Sequence, residues 1–156
     1  MSLNPYAYAA EGMDPVLAIA GAPERLARLM AGMSAEEIEA APAPGKWSVR
    51  KVVAHLADCE IAFGFRLRQA AAGESHIQPF DQDAWARVYE VYSANAALAT
   101  FTALRAWNVA FVGGLSEEDK LKPAVHPERG EMTLWTIVET MAGHDRHHLA
   151  KIEKSS

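Results

Sequence analysis

The chain has 156 residues, half of them hydrophobic and 22% charged, and a formal net charge of −5. That is the profile of one folded domain, and with acids and bases interspersed it offers no basic stripe for phosphates, so nucleic acid is a poor partner. A single cysteine, Cys59, rules out an intrachain disulfide. With no basic-then-apolar leader and no apolar run read as long enough for a bilayer, the expected setting is the cytoplasm, away from membranes.

Apolar residues recur at spacings of three and four almost throughout, without strand-like alternation. The expected class is therefore all-α, one domain over 1–156 with its core from about 14 to 153. Asp14 caps a first helix, with Pro15 at its first position, that runs to about Met33; Pro23 is expected to kink or restart it. Ser34 and Glu37 form a capping-box pattern for a short helix ending near the APAPG turn. Ser48 caps a second long helix, with Trp47 stapled on Val52, that passes through Val53, Leu56, Phe63 and Leu67 and stops near Gly73. A loop from Glu74 to Phe80 leads to a third helix from near Asp81 to Gly113, broken around Ser93, with Leu98, Phe101, Leu104 and Phe111 on its buried side. Ser116 opens a short capped turn, Leu121 to Glu131 reads as an ordered loop, and Thr133 caps a final helix to about Glu153. Four long helices with connecting loops predict a four-helix bundle, a fold that commonly houses metal sites in its core.

Three of the six histidines crowd into the last helix, in Gly143-His144-Asp145-Arg146-His147-His148. At about 100° per residue, His144 and His148 stand one turn apart on one face. They continue the apolar seam of Leu134, Ile137, Met141 and Ile152, whereas His147 falls outside it and faces solvent or a subunit contact. Two inward histidines need either a polar network or a metal ion to satisfy them. A third, His55, sits at the edge of the buried face of the second helix, in line with Cys59, Ala62 and Arg66. Three neutral imidazoles suit one divalent transition metal, zinc or nickel foremost, and leave coordination positions open for water or substrate. A water on such an ion loses its proton near neutral pH and a thiol is deprotonated outright, so hydrolysis and thiol chemistry are both open.

Asp58, three residues after His55, and Asp145, next to His144, are the candidate catalytic carboxylates, orienting a ligand or accepting a proton; each also reads as a plain surface acid. Cys59 is either a fourth, soft ligand or a buried inert thiol. Glu60 points away from His55 by phase and reads as a partner for Arg50 or Arg87. Arg66 and Arg105 either clamp an anionic substrate or make ion pairs between helices. His76 and His126 fall in loops, His126 at a possible pocket rim, and the four tryptophans read as core and staple residues.

The stretches GKWSVRKVVAHLADCE with FGFRLR, ATFTALRAWNVAFV, and HPERGEMTLWTIVETMAGHDRHHLAKI together resemble the DinB/YfiT-like superfamily of metalloenzymes, over nearly the whole chain from Asp14 to Ile152. The resemblance implies a four-helix bundle of unusual connectivity with a divalent metal held by His55, His144 and His148. It further implies a small-molecule substrate, a tendency to form homodimers, and, in some branches, transferase or isomerase chemistry using a low-molecular-weight thiol. Lys151 stands where the family's closing pattern has glutamine. Three functions follow: a metal-dependent hydrolase or thiol S-transferase, a non-catalytic metal-binding or sensing protein whose coordination Cys59 or Asp58 closes, and a helical interaction module with a histidine network.

Overall fold

In a computed structural model, which describes residues 3–154, four long helices form the body: α2 (Pro15–Ala31), α4 (Val49–Ala71), α6 (Ala94–Gly113) and α8 (Leu134–Glu153). The short ones are α1 (Ala7–Ala10), α3 (Ala35–Glu39), α5 (Gln82–Ala86) and α7 (Glu117–Lys120). Each of α2 and α4 packs on both α6 and α8, so the four make a closed ring in which α6 and α8 are diagonal partners. The caps fall where the sequence places them. Asp14 accepts from Val16 and Leu17, Ser48 from Lys51, and Ser34, Ser116 and Thr133 each close a capping box.

Four features depart from the sequence reading. Pro23 neither stops nor restarts α2, which runs unbroken through it. The residues expected to form a loop after Leu121 instead form a hairpin, β1 (Pro123–His126) and β2 (Gly130–Thr133), with Gly130 at φ +93° in the turn. Tyr6 precedes α1, an unexpected turn of helix that packs along α8. The expected break at Ser93 is present, with Ser93 capping α6 as a separate helix after α5 and a 3-10 turn at Tyr89–Val91. Its buried seam is Ala97, Phe101, Arg105, Asn108 and Val112, so Leu98, Leu104 and Phe111 lie half-buried at the flanks and Trp107 is 71% exposed rather than in the core.

Helix α6 also meets the length and composition of a membrane span, with 20 residues and mean hydropathy 1.2, against the sequence expectation. Alanines raise that average, while Arg105 and Asn108 on its inner face bind carboxylate groups of the neighbouring helices. Those bonds fix it as a bundle helix.

The core is two apolar clusters rather than one. The first gathers Ile19, Phe63, Leu67, Val112, Ile137 and Met141; the second gathers Leu26, Val53, Leu56, Phe101, Leu149 and Ile152. On α6 and α8 the residues between the two clusters are the polar ones, Arg105 and Asn108 on α6 and His144, Asp145 and His148 on α8; on α4, His55 and Glu60 lie within the apolar runs and join the same layer through His144, Arg105 and Asn108. On α2 the gap lies just after Ile19, and its contribution is a bare carbonyl. Pro23 has no N–H to give to the Ile19 carbonyl four residues back, and Arg105 Nη1 donates to that oxygen instead, at 2.8 Å. A bundle with two hydrophobic ends can thus carry a polar layer across its waist.

Candidate metal centre

That layer has two halves. In the first, the Arg105 guanidinium touches all four helices. It donates to Asp145 Oδ2 at 2.6 Å and Oδ1 at 2.9 Å on α8, to Glu60 Oε1 at 2.5 Å on α4 and to the Ile19 carbonyl on α2. Asn108 Nδ2 holds the other Glu60 oxygen at 2.9 Å, and Gly64 must lack a side chain because a Cβ there would meet Asn108 Oδ1 at 2.6 Å. One guanidinium serves two buried carboxylates, and burial pushes Asp145 up to about 6 against the pull of Arg105. Glu60 therefore pairs with Arg105, not with Arg50 or Arg87 as phase predicted; Arg50 is taken by Glu39 and Glu90.

In the second half, the structure brings His55, His144 and His148 together, with one ring nitrogen from each lying within 4.8 Å of the others. All three are buried, and His55 lies deeper than the edge position its phase suggested, because the Trp47 ring covers it at 5.2 Å. Nε2 of His55 faces Nε2 of His144 at 3.1 Å, and His148 Nδ1 is buried with no hydrogen-bond partner. The His55–His144 contact can be a single N–H···N hydrogen bond, whereas an ion would engage one nitrogen from each of the three rings. Burial holds His55 at about 4 and His148 at about 3, with neighbouring imidazoles adding to the shift of His148, and keeps His144 well below the usual range. All are therefore neutral donors at pH 7. The set fits a borderline divalent ion.

The remaining candidates occupy distinct places. Cys59 Sγ is buried 3.5 Å from His55 Nε2 and 3.9 Å from His144 Nε2, and burial pushes its thiol up, so it stays protonated. Asp58 is half-buried beside Tyr89; burial raises its carboxyl, with the Tyr89 hydroxyl opposing. Asp145 has both oxygens on Arg105. His147 is half-buried and bonds the Tyr8 hydroxyl on α1. His76 is exposed, whereas His126 is buried at the end of β1. A cavity of about 260 Å3 reaches His55, His144 and Cys59 and is walled by Tyr6, Phe63, Arg66, Phe80, His126 and Arg129. Tyr6 can approach because Gly143 has no side chain, a Cβ there falling 2.5 Å from the Tyr6 carbonyl oxygen. Tyr6, Arg129 and the hairpin were not readable as site residues: they enter through α1 and β1–β2, which no periodicity announces.

Acid should test the histidine burial directly. In the unfolded chain these imidazoles take up protons near pH 6.5, whereas in the fold they do so only near 4 or below, so falling pH favours the unfolded state. The stability they contribute is present above about pH 6.5 and is lost as pH falls toward about 4. Chelator-treated protein should show a melting temperature that declines progressively across that window; a flat profile would mean that the imidazoles are not buried as neutral bases.

The comparisons with known proteins agree with this architecture. The family model described as the DinB superfamily matches residues 18–152. A relative in Oceanobacillus iheyensis, named "Putative metal-dependent hydrolase", is 30% identical over 132 residues, covering 83% of this chain and 77% of the relative. A protein of Geobacillus kaustophilus with the same description is 28% identical over 149 residues, covering 92% and 83%. Among solved structures, YfiT from Bacillus subtilis, described as "a probable metal-dependent hydrolase with an unusual four-helix bundle topology", superposes with a TM-score of 0.84 over 91% of this chain and 83% of that one, at 24% identity. The shared fold, the match over nearly all of the chain and the cluster of three histidines lead to one assignment: the chain belongs to the DinB superfamily.

Proposed function

We propose that the protein is a metal-dependent hydrolase of small molecules, with one divalent ion, zinc or nickel, held by His55, His144 and His148. The observation that carries this reading is the convergence of three buried neutral imidazoles, two of which, His55 and His144, line a cavity large enough for a small substrate. When bound, such an ion supplies Lewis acidity and lowers the pKa of a coordinated water or thiol. The chain's own residues do the rest. Trp47 and Phe63 pack around the imidazoles and exclude water from their far sides. Asp145, pinned by Arg105, sets the rotation of α8 and so the aim of His144 next to it, acting as a positioning residue. Asp58, three residues after His55 on α4 and half-buried beside Tyr89, is the carboxylate assigned to proton acceptance in this reading.

Thiol S-transfer with a low-molecular-weight thiol is a second reading of the same site. It is favoured by Cys59, whose sulfur shows that the space beside His55 and His144 accommodates this element. Outside the site, Ile61 and Phe65 on α4 and Trp107 on α6 turn outward, a face suited to a second copy of the chain. Metal analysis of protein purified without chelator, with its native mass measured by light scattering, should find about one zinc or nickel ion per chain. A parallel screen of small esters, amides and thiol acceptors should find turnover that a chelator removes and the ion restores. Protein that neither contains nor takes up stoichiometric zinc or nickel would sink the proposal.

A further inference from the structure

The cavity that reaches His55 and His144 is also lined by two arginines, Arg66 and Arg129, and by His126, with Glu128 at its rim, in a chain whose net charge is −5. Arg66 enters from α4 and is only 8% exposed. One of its nitrogens, Nη2, donates to the Gln78 carbonyl at 2.9 Å and its plane lies over Phe80 at 5.4 Å, which leaves most of its five N–H donors uncommitted. Arg129 comes from the turn of the β1–β2 hairpin and lines the same cavity. Neither guanidinium has an ion-pair partner among the described residues, and Glu128 at the rim is exposed and pairs with neither. This contrasts with Arg50 and Arg105, each of which holds two carboxylates. Burial and the charge of Arg129 both bear on Arg66 in the same direction, disfavouring its cation, with no carboxylate to offset them. His126 completes the wall: its Nδ1 accepts the Glu128 backbone N–H at 3.2 Å, so its proton resides on Nε2.

Two like charges and a ring N–H donor gathered in a partly buried cavity are costly unless an anion joins them. We propose that Arg66, Arg129 and His126 form an oxyanion subsite that takes a carboxylate or phosphate group of the substrate. The substrate class is then a small anionic molecule whose reacting bond lies toward His55 and His144, which line the same cavity. That orientation rests on the hydrolase reading; anion binding itself depends on the arginines alone.

The test uses the full zinc-loaded chain, titrated calorimetrically at low ionic strength with succinate, inorganic phosphate and the neutral control succinamide. Succinate or phosphate should bind, succinamide should not, and Arg129→Met should weaken the anion by about tenfold or more while leaving zinc stoichiometry unchanged. Arg66→Met should do the same; Arg129, on a hairpin turn and away from the core, keeps the test decisive if loss of the buried Arg66 prevents folding. His144→Ala should lose zinc yet still bind the anion. Anion affinity equal to wild type in Arg129→Met, anion binding that disappears together with zinc in His144→Ala, or no oxyanion binding by wild type would each overturn the subsite. Failure to load zinc would instead count against the hydrolase reading, since the anion titration can still be run on the metal-free chain.

Discussion

His144→Ala abolishes stoichiometric metal binding, and His147→Ala, three residues on, leaves it nearly intact. His144 is the hinge of the cluster: its Nε2 lies 3.1 Å from that of His55, and its ring centroid lies 4.5 Å from that of His148. Loss of a supporting partner to a metal ligand already costs about 10- to 100-fold in affinity, and removal of a ligand costs more. His147 is turned toward α1, on the Tyr8 hydroxyl and against the Tyr6 ring, so its removal loosens α1 rather than the site. Thermal shift separates the effects. A metal present at about 100 times its Kd adds about 2.7 kcal/mol to the wild type, which for a chain of this size raises the melting temperature by roughly 5 to 10 °C. His144→Ala should show no such rise over its own metal-free form. His147→Ala should keep the rise. Equal losses from His144, His147 and His148 would mean that the face of α8 has been assigned wrongly.

Much of that face was legible in the sequence because it is a matter of local periodicity. Leu134, Ile137, Met141 and Ile152 mark a seam, all are buried, and His144 and His148 continue it. Caps are equally local, which is why Asp14, Ser34, Ser48, Ser116 and Thr133 stand where the chain announces them. What escaped was set by contacts distant in sequence. Asp145 reads as a surface acid while only one face of α8 is taken as buried, but α8 is covered on further sides by α1 and α2, and Asp145 meets Arg105, 40 residues away. Arg105 does make the ion pairs between helices that were one of its two readings, but its partners and its place on the inward line of α6, rather than beside the seam of Leu98, Leu104 and Phe111, were not legible. Pro23 reads as a helix breaker because its missing N–H leaves a carbonyl unsatisfied, and only the arrival of Arg105 from α6 cancels that cost. The hairpin that supplies Arg129 and His126 is too short, and too rich in proline and glycine, to show alternation.

The second large effect follows from that arginine. Arg105→Met should destabilise the protein by about 3 to 5 kcal/mol, since it leaves Glu60 and Asp145 buried without their cation and the Ile19 carbonyl without a donor. Against a total stability of about 5 to 15 kcal/mol, that is enough to lower the melting temperature by roughly 6 to 20 °C. The loss comes from the stranded carboxylates rather than from the salt bridge itself, and the two origins can be told apart. A triple variant, Arg105→Met with Glu60→Gln and Asp145→Asn, removes every charge together and should recover a substantial part of the loss, because neutral amides can bond one another and Asn108 in the same space. If the stability were instead an attraction among the three charges, the triple variant would be no better than the single one. The metal site supplies a further readout: Asp145 is adjacent to His144, and a guanidinium carried by α6 and bonded to the other three long helices fixes how α8 is rotated against α4. Arg105→Met should therefore weaken zinc binding even at temperatures where it is fully folded, although Arg105 touches none of the three histidines. Undiminished zinc affinity in the folded variant would separate the two halves of the polar layer, leaving Arg105 a structural residue with no part in aiming His144.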